Sequence, residues 1–206
     1  MTMRHYQKPK LILNMIQTDS MGTRGKRRTN IEQEEGVQKD YAHVLLRSAS
    51  DLRKLGEQND CYDNLALDVE KLIRFIPDVR LEYVNMDSTL SGSLSKQGDI
   101  WLIRINKVHG KTRQRFSIAH ELGHFVYHKD DENEFVDTTF FRGMTSGNKE
   151  YTANKFASEL LMPEEQVRHL IDKENVRSVA ELAARFGVSS AAMLYRVKEL
   201  NYKTKE

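Results

Sequence analysis

The segment RQRFSIAHELGHFVYH, residues 113–128, constrains this chain more than any other, because it asks one helix to bury two imidazoles and a carboxylate. Phe116, Ala119, Phe125 and Val126 flank the polar groups with apolar surface that draws the helix inward. At a spacing of four, His120 and His124 lie one turn apart and within about 40° of the same face, so both rings can reach a common point. Glu121 is rotated by about 100° from His120 and stands beside that point. Such a triplet would arise by chance in a chain like this roughly once in fifty, so its surroundings have to carry the argument. The chemistry it suits is metal-assisted hydrolysis. Two neutral imidazoles can bind Zn2+ at about 2.0–2.1 Å, and an adjacent carboxylate can take a proton from water as general base. Gly123 leaves part of the helix bare and lets a facing backbone or a substrate come close.

A hydrolytic zinc site needs a third protein ligand. Cys61 is the single cysteine, so a disulfide within the chain is excluded, cysteine zinc sites are excluded, and a reducing, cytoplasmic setting is expected. Any metal must then be held by histidines and carboxylates, and downstream candidates for the third ligand include Asp130, Asp131, Glu132, Glu134, Asp137, Glu150 and Glu159. In EYTANKFASELLMP the apolar stripe is Ala153, Phe156, Ala157, Leu160 and Leu161. Glu150 lies about 60° from the centre of that stripe and Glu159 about 120°, which favours Glu150. Asn154, one turn on, is placed to hydrogen-bond a ligating histidine from behind. His128 extends the histidine row, but eight residues of helix rise about 12 Å, so it cannot share an ion with His120. It reads first as a surface histidine. Tyr127, His128, Tyr151, Arg113 and Arg115 are candidates for contacting substrate or a developing oxyanion. Zinc is the one cofactor this reading requires.

The rest of the chain predicts an α+β fold. Residues 1–36 lack a sustained period and read as a solvated lead-in, with a basic cluster at 24–28. Helices are expected over 40–55, with Val44, Leu45, Ala49, Leu52 and Leu55 inward, and over 62–76, ended by Pro77. VRLEYVNM, TLSGSLSK and DIWLIRIN predict a small antiparallel sheet. The active-site helix follows at 111–128, then an irregular stretch to residue 147, then a helix over 148–161 and another with Pro163 in its first turn. In 178–201, Ser178 with Glu181 forms a capping box. Gly187 closes that helix, and Ser189 or Ser190 caps the next. This is a helix-turn-helix pattern. Ser189, Ser190, Tyr195, Arg196 and Lys198 could face DNA, but Glu199 offsets them, and packing or partner recognition is favoured over DNA binding. The expected division is a lead-in at 1–36, a catalytic domain at 37–165 and a helical subdomain at 166–206. A formal net charge of +2 gives no whole-molecule field for nucleic acid or an anionic membrane, and no signal peptide or membrane span is visible.

RQRFSIAHELGHFVYH followed by EYTANKFASELLMP resembles the ImmA/IrrE family of bacterial and phage metallopeptidases. The resemblance implies a zincin-like core of the gluzincin type, with His120, His124 and Glu150 on zinc and Glu121 as general base. It also implies a protein substrate, an Xre-type helix-turn-helix repressor whose cleavage relieves repression in a mobile element, a toxin–antitoxin-like pair or a stress response. The segment after LLMP is similar to the corresponding part of that family. The rival expectation is a non-catalytic regulator that binds a repressor or DNA through residues 178–201.

Overall fold

The computed structural model describes residues 46–131, 133–137 and 147–204. The lead-in at 1–36, and Val44 and Leu45 of the first expected helix, lie outside them. Helix α1 (Ala49–Gln58) starts where Ser48 accepts a hydrogen bond from the Asp51 amide, and it buries Ala49, Leu52 and Leu55. The single helix expected over 62–76 is not what forms. Tyr62–Asp63 (β1) and Ala66–Leu67 (β2) make a tight antiparallel hairpin, with Asn64 at φ 54°, and only Val69–Ile73 (α2) is helical. The reason is local: Asp and Asn offer turn and cap geometry, and Asp68 accepts from the Lys71 amide at 2.9 Å to start the helix there.

The sheet corrects a second expectation. Strands β3 (Val79–Val84), β4 (Gly92–Gln97), β5 (Ile100–Asn106) and β6 (Glu134–Asp137) lie in the order β3-β5-β4-β6. β4 and β5 form an antiparallel hairpin turned at Gly98, whose φ is +61°, but β3 runs parallel to β5, so the sheet is mixed. β5 is the most apolar strand, with Trp101, Leu102, Ile103 and Ile105 buried, and such a run belongs inside a sheet with a neighbour on each edge. The chain must therefore cross from β3 past β5 to reach β4. The Asn106 side-chain amide pins that crossing by donating to the carbonyls of Asp87 at 3.0 Å and Leu90 at 2.9 Å. β6 falls in the stretch expected to be irregular; four residues are too short for alternation to announce a strand.

Helix α3 (Lys111–His128) packs on β4 and β5 from one side and against α4 (Asn148–Leu161) from the other. The bounds of α4 are those read from sequence. Pro163 is the N-cap of α5 (Glu164–Asp172) and so stands just before the first turn in which it was expected. α6 (Val179–Phe186) is capped by Ser178 and closed by Gly187 at φ 62°, and α7 (Ser190–Glu199) is capped by Ser189. Only half of the expected capping box forms: the Glu181 amide donates to Ser178 Oγ at 3.3 Å, while the Glu181 carboxylate pairs with Arg185 at 2.8 Å. One apolar core runs from Ala49 to Leu200. Among the described residues, no helix is long and apolar enough to cross a membrane.

Candidate metal centre

α3 is buried along almost its whole second half. His120 and His124 are each 1% exposed and Glu121 is fully buried. Imidazole and carboxylate groups taken out of water need strong partners to be tolerated. For the histidines the partner comes from the first turn of α4. Glu150 Oε2 lies 3.3 Å from His120 Nε2, and its Oε1 lies 3.2 Å from His124 Nε2. The two Nε2 atoms are themselves 3.1 Å apart. These three residues form the one group of its kind among the described residues whose donor atoms could converge on a metal ion.

The triangle has a chemical meaning. A tetrahedral ion with bonds of about 2.0–2.1 Å has ligand–ligand edges of about 3.3–3.4 Å, close to the observed spacings. His120 Nδ1 lies 3.0 Å from Asn154 Oδ1, an acceptor, so Nδ1 donates there and Nε2 is the nitrogen left facing Glu150. Two imidazole nitrogens and a carboxylate this close call for a shared proton or a cation between them. Burial works against ionisation of Glu150, but its contacts with His120 and His124 outweigh that and hold the carboxyl well below its usual range. Glu159, the alternative ligand, is outside the triangle, beside Lys155. Asp131 pairs with Lys149, Asp130 and Glu134 are exposed, and Glu132 and the Asp137 side chain lie outside the described residues.

Glycines set the spacing. A Cβ on Gly123 would come 3.0 Å from Ala153 Cα and 3.1 Å from its carbonyl oxygen, so the bare position admits the backbone of α4. Ala153 is three residues after Glu150, and this close approach carries the carboxylate to the histidines. A Cβ on Gly92, at the start of β4, would come 2.9 Å from Glu121 Oε1. Gly92 therefore makes room for the Glu121 carboxylate.

The remaining candidates separate. His128 is buried, not a surface residue: its ring centroid lies 5.4 Å from that of His124 and 6.1 Å from that of Phe135. Burial, then the neighbouring His124 and Lys149, lower its pKa and keep it neutral near pH 7. Tyr127 packs edge-on against Phe156, and its hydroxyl is pushed up by burial, then by Glu159 and Asp51, groups away from the triangle. Tyr151 stands exposed on α4. Arg113 donates to Ser91 Oγ at 2.8 Å. Arg115 is committed to the Leu67 carbonyl at 2.8 Å, and Arg196, 3% exposed, to the Met162 carbonyl at 3.0 Å and to Glu199. Arg196 is thereby withdrawn from any DNA-facing surface of α7. Sequence reasoning did not find Phe135, whose ring stacks on His124 at 4.7 Å and 20°. The only signal for it was a lone aromatic followed by a valine, Phe135 and Val136, in an otherwise polar stretch.

A peptidase family model described as the IrrE N-terminal-like domain matches residues 76–198. The radiation response metalloprotease IrrE of Deinococcus radiodurans is 29% identical over 135 residues, covering 64% of this chain and 40% of that protein. Metallopeptidase ImmA of Bacillus subtilis is 31% identical over 105 residues, covering 51% of this chain and 60% of that protein. The chain thus spans about half the length of these curated relatives. The solved structure of a Mycobacterium tuberculosis transcriptional regulator superposes with a TM-score of 0.52 at 17% identity, covering 73% of this chain and 46% of that one, a likeness of fold alone. The matched span holds β4, α3 and α4 and with them the whole histidine–glutamate triangle, and the chain belongs to the ImmA/IrrE family of peptidases.

Proposed function

We propose that this protein is a zinc-dependent endopeptidase of zincin-like, gluzincin type, with His120, His124 and Glu150 as metal ligands and Glu121 as general base. The observation that carries the reading is the triangle of 3.1, 3.2 and 3.3 Å edges, with a fully buried second carboxylate on the same helix turn. When bound, zinc supplies Lewis acidity, bringing the pKa of water toward about 7 and polarising the scissile carbonyl. Glu121, one residue from His120, takes the proton of the attacking water on its carboxylate and returns it to the leaving amine, so the proton count closes. Asn154 fixes which nitrogen of His120 faces the ion. Gly92, at the start of β4, leaves the space that the Glu121 carboxylate takes. Of the five side chains weighed for substrate contact, His128 is the one packed against the triangle and is the substrate-facing candidate.

The substrate in this reading is a cytoplasmic protein, an Xre-type helix-turn-helix repressor, with residues 37–165 doing the chemistry and 166–206 recognising the partner. The rival, a non-catalytic regulator acting through α6 and α7, gives Glu121 no purpose, since that carboxylate is not needed to hold the ion. Purified protein is assayed for metal content and for cleavage of an Xre-type repressor encoded beside its gene. Glu121→Gln is expected to keep stoichiometric zinc and lose cleavage by at least about 100-fold, whereas His120→Ala and Glu150→Ala lose zinc. Cleavage by Glu121→Gln at the wild-type rate would remove the general base from the mechanism. Full metal content in Glu150→Ala would remove the third ligand.

A further inference from the structure

His120 and His124 face the same point but are held by different means. His120 has a hydrogen-bond partner behind it, Asn154 Oδ1 at 3.0 Å from Nδ1. His124 has none: among the described residues, no hydrogen-bond partner reaches its buried Nδ1. The second torsion of a histidine is broad, so an imidazole without such a partner is free to turn unless packing stops it. Packing is what surrounds His124. The Phe135 ring lies almost parallel to it, with centroids 4.7 Å apart and 20° between planes, and His128 closes in at 5.4 Å and 50°. Phe135 is delivered there by the sheet, because β6 pairs with β4 in the register Leu94↔Phe135. Lys149, the residue before Glu150, sits with Nζ 5.9 Å from the centroid of the same ring.

We propose that Phe135 is the positioning residue for His124, its ring stacking doing for that ligand what the Asn154 hydrogen bond does for His120, so that the edge strand β6 is part of the metal grip. The proposal rests on the reading of the triangle as a metal site. It assigns Phe135 no contact with substrate; its effect passes through the orientation of one imidazole. A side chain that is apolar but lacks a flat ring fills the space without fixing the plane of His124, and that distinguishes positioning from core packing.

The test uses the full chain, stripped of metal and titrated with Co2+ against a competing chelator, with the visible d–d spectrum as a second readout. Phe135→Leu is expected to weaken Co2+ binding about three- to tenfold, in the range of one aromatic contact, and to alter the spectrum. Phe135→Tyr, which restores the ring, is expected to return both to wild type. Asn154→Ala provides the comparison on the other ligand, with a loss of about tenfold or more. If Phe135→Leu holds Co2+ as tightly as wild type with the same spectrum while only its Tm falls, the positioning role is overturned. If Phe135→Tyr behaves like Phe135→Leu, the ring is not the reason and the proposal fails again. A wild-type chain that takes up no Co2+ overturns the metal reading itself, and that result is told apart because it appears before any variant is compared.

Discussion

Two helix pairs in this chain are built on opposite plans. α6 and α7 are completed locally: a serine caps each start, a left-handed glycine closes α6, and Leu182, Ala183, Phe186, Met193 and Val197 form the interior. The buried charge of Arg196 is answered within reach, by Glu199 at 2.6 Å and the Met162 carbonyl. α3 and α4 begin instead on glycines, Gly110 and Gly147, that supply no side-chain cap. Their contact holds His120, Glu121, His124 and His128 where apolar residues would pack at lower cost. The first pair has its ends closed by neighbouring residues, while its apolar side chains join the common core. The second is held by the sheet beneath it and by a close approach of backbones, and it spends the rigidity gained on presenting ionisable groups to one another.

The sharpest way to break that contrast is Gly123→Ala. The added methyl meets backbone atoms of Ala153 at 3.0 and 3.1 Å, which cannot swing away, so α4 must move off α3 and take Glu150 with it. Overpacking of this kind costs about 1–3 kcal/mol, and metal content should fall well below one ion per chain. Unaltered zinc in this variant would mean that the close approach is not what places Glu150. Gly187→Ala should follow in size. Its φ of 62° costs an alanine about 1–2 kcal/mol, and the new Cβ would also press on the Arg115 guanidinium. Here chemical denaturation should show the loss while the folded fraction keeps its metal. Ser189→Ala, which deletes the cap on the Ala192 amide, should cost about 1 kcal/mol, again without touching metal binding. If either C-terminal variant released zinc from folded protein, the two pairs would be coupled and the contrast false.

Local signals explain what could be read in advance. The bounds of α4 and both serine caps are encoded within a few neighbouring residues, as are the four-residue spacing of His120 and His124 and the helical phase that separates Glu150 from Glu159. The parallel pairing of β3 with β5 depends on which strand is buried most deeply, a comparison no single window contains. The 62–67 hairpin hid because a short apolar run fits either period, and its Asp and Asn residues decide the matter only once the turn is closed. Phe135 was out of reach for a stronger reason. Its contact with His124 follows from a register set against Leu94, some forty residues earlier in the chain. Gly92 is similar: nothing near it in sequence says that a carboxylate of α3 needs the space.

The smallest expected effect is also the most specific, because it asks whether the two pairs differ in acid. With metal removed by a chelator, Glu150 ionises more readily in the folded chain than in the unfolded one, whose carboxyl titrates near 4.5. A depressed folded pKa contributes stability that is fully present above the unfolded value and drains away as pH falls toward the folded one. The contact of Glu150 with His120 and His124 should therefore support the fold down to about pH 4.5 and lose that support progressively below it. His128 also makes acid unfavourable, since its folded pKa lies below the unfolded 6.5; the Glu150 charge pulls that pKa the other way, so removing it adds to the His128 effect. Below about pH 4.5, where the Glu150 carboxyl titrates, Glu150→Gln should have the flatter acid limb in denaturant midpoint against pH. Its size is limited because the carboxylate side chain is 33% exposed and partly screened by solvent. Ser189→Ala should shift the whole curve down and leave its shape alone, having removed no titrating group. Acid limbs of identical slope in wild type and Glu150→Gln would show that Glu150 gains nothing from the two imidazoles when no ion joins them, and that the triangle closes only around metal.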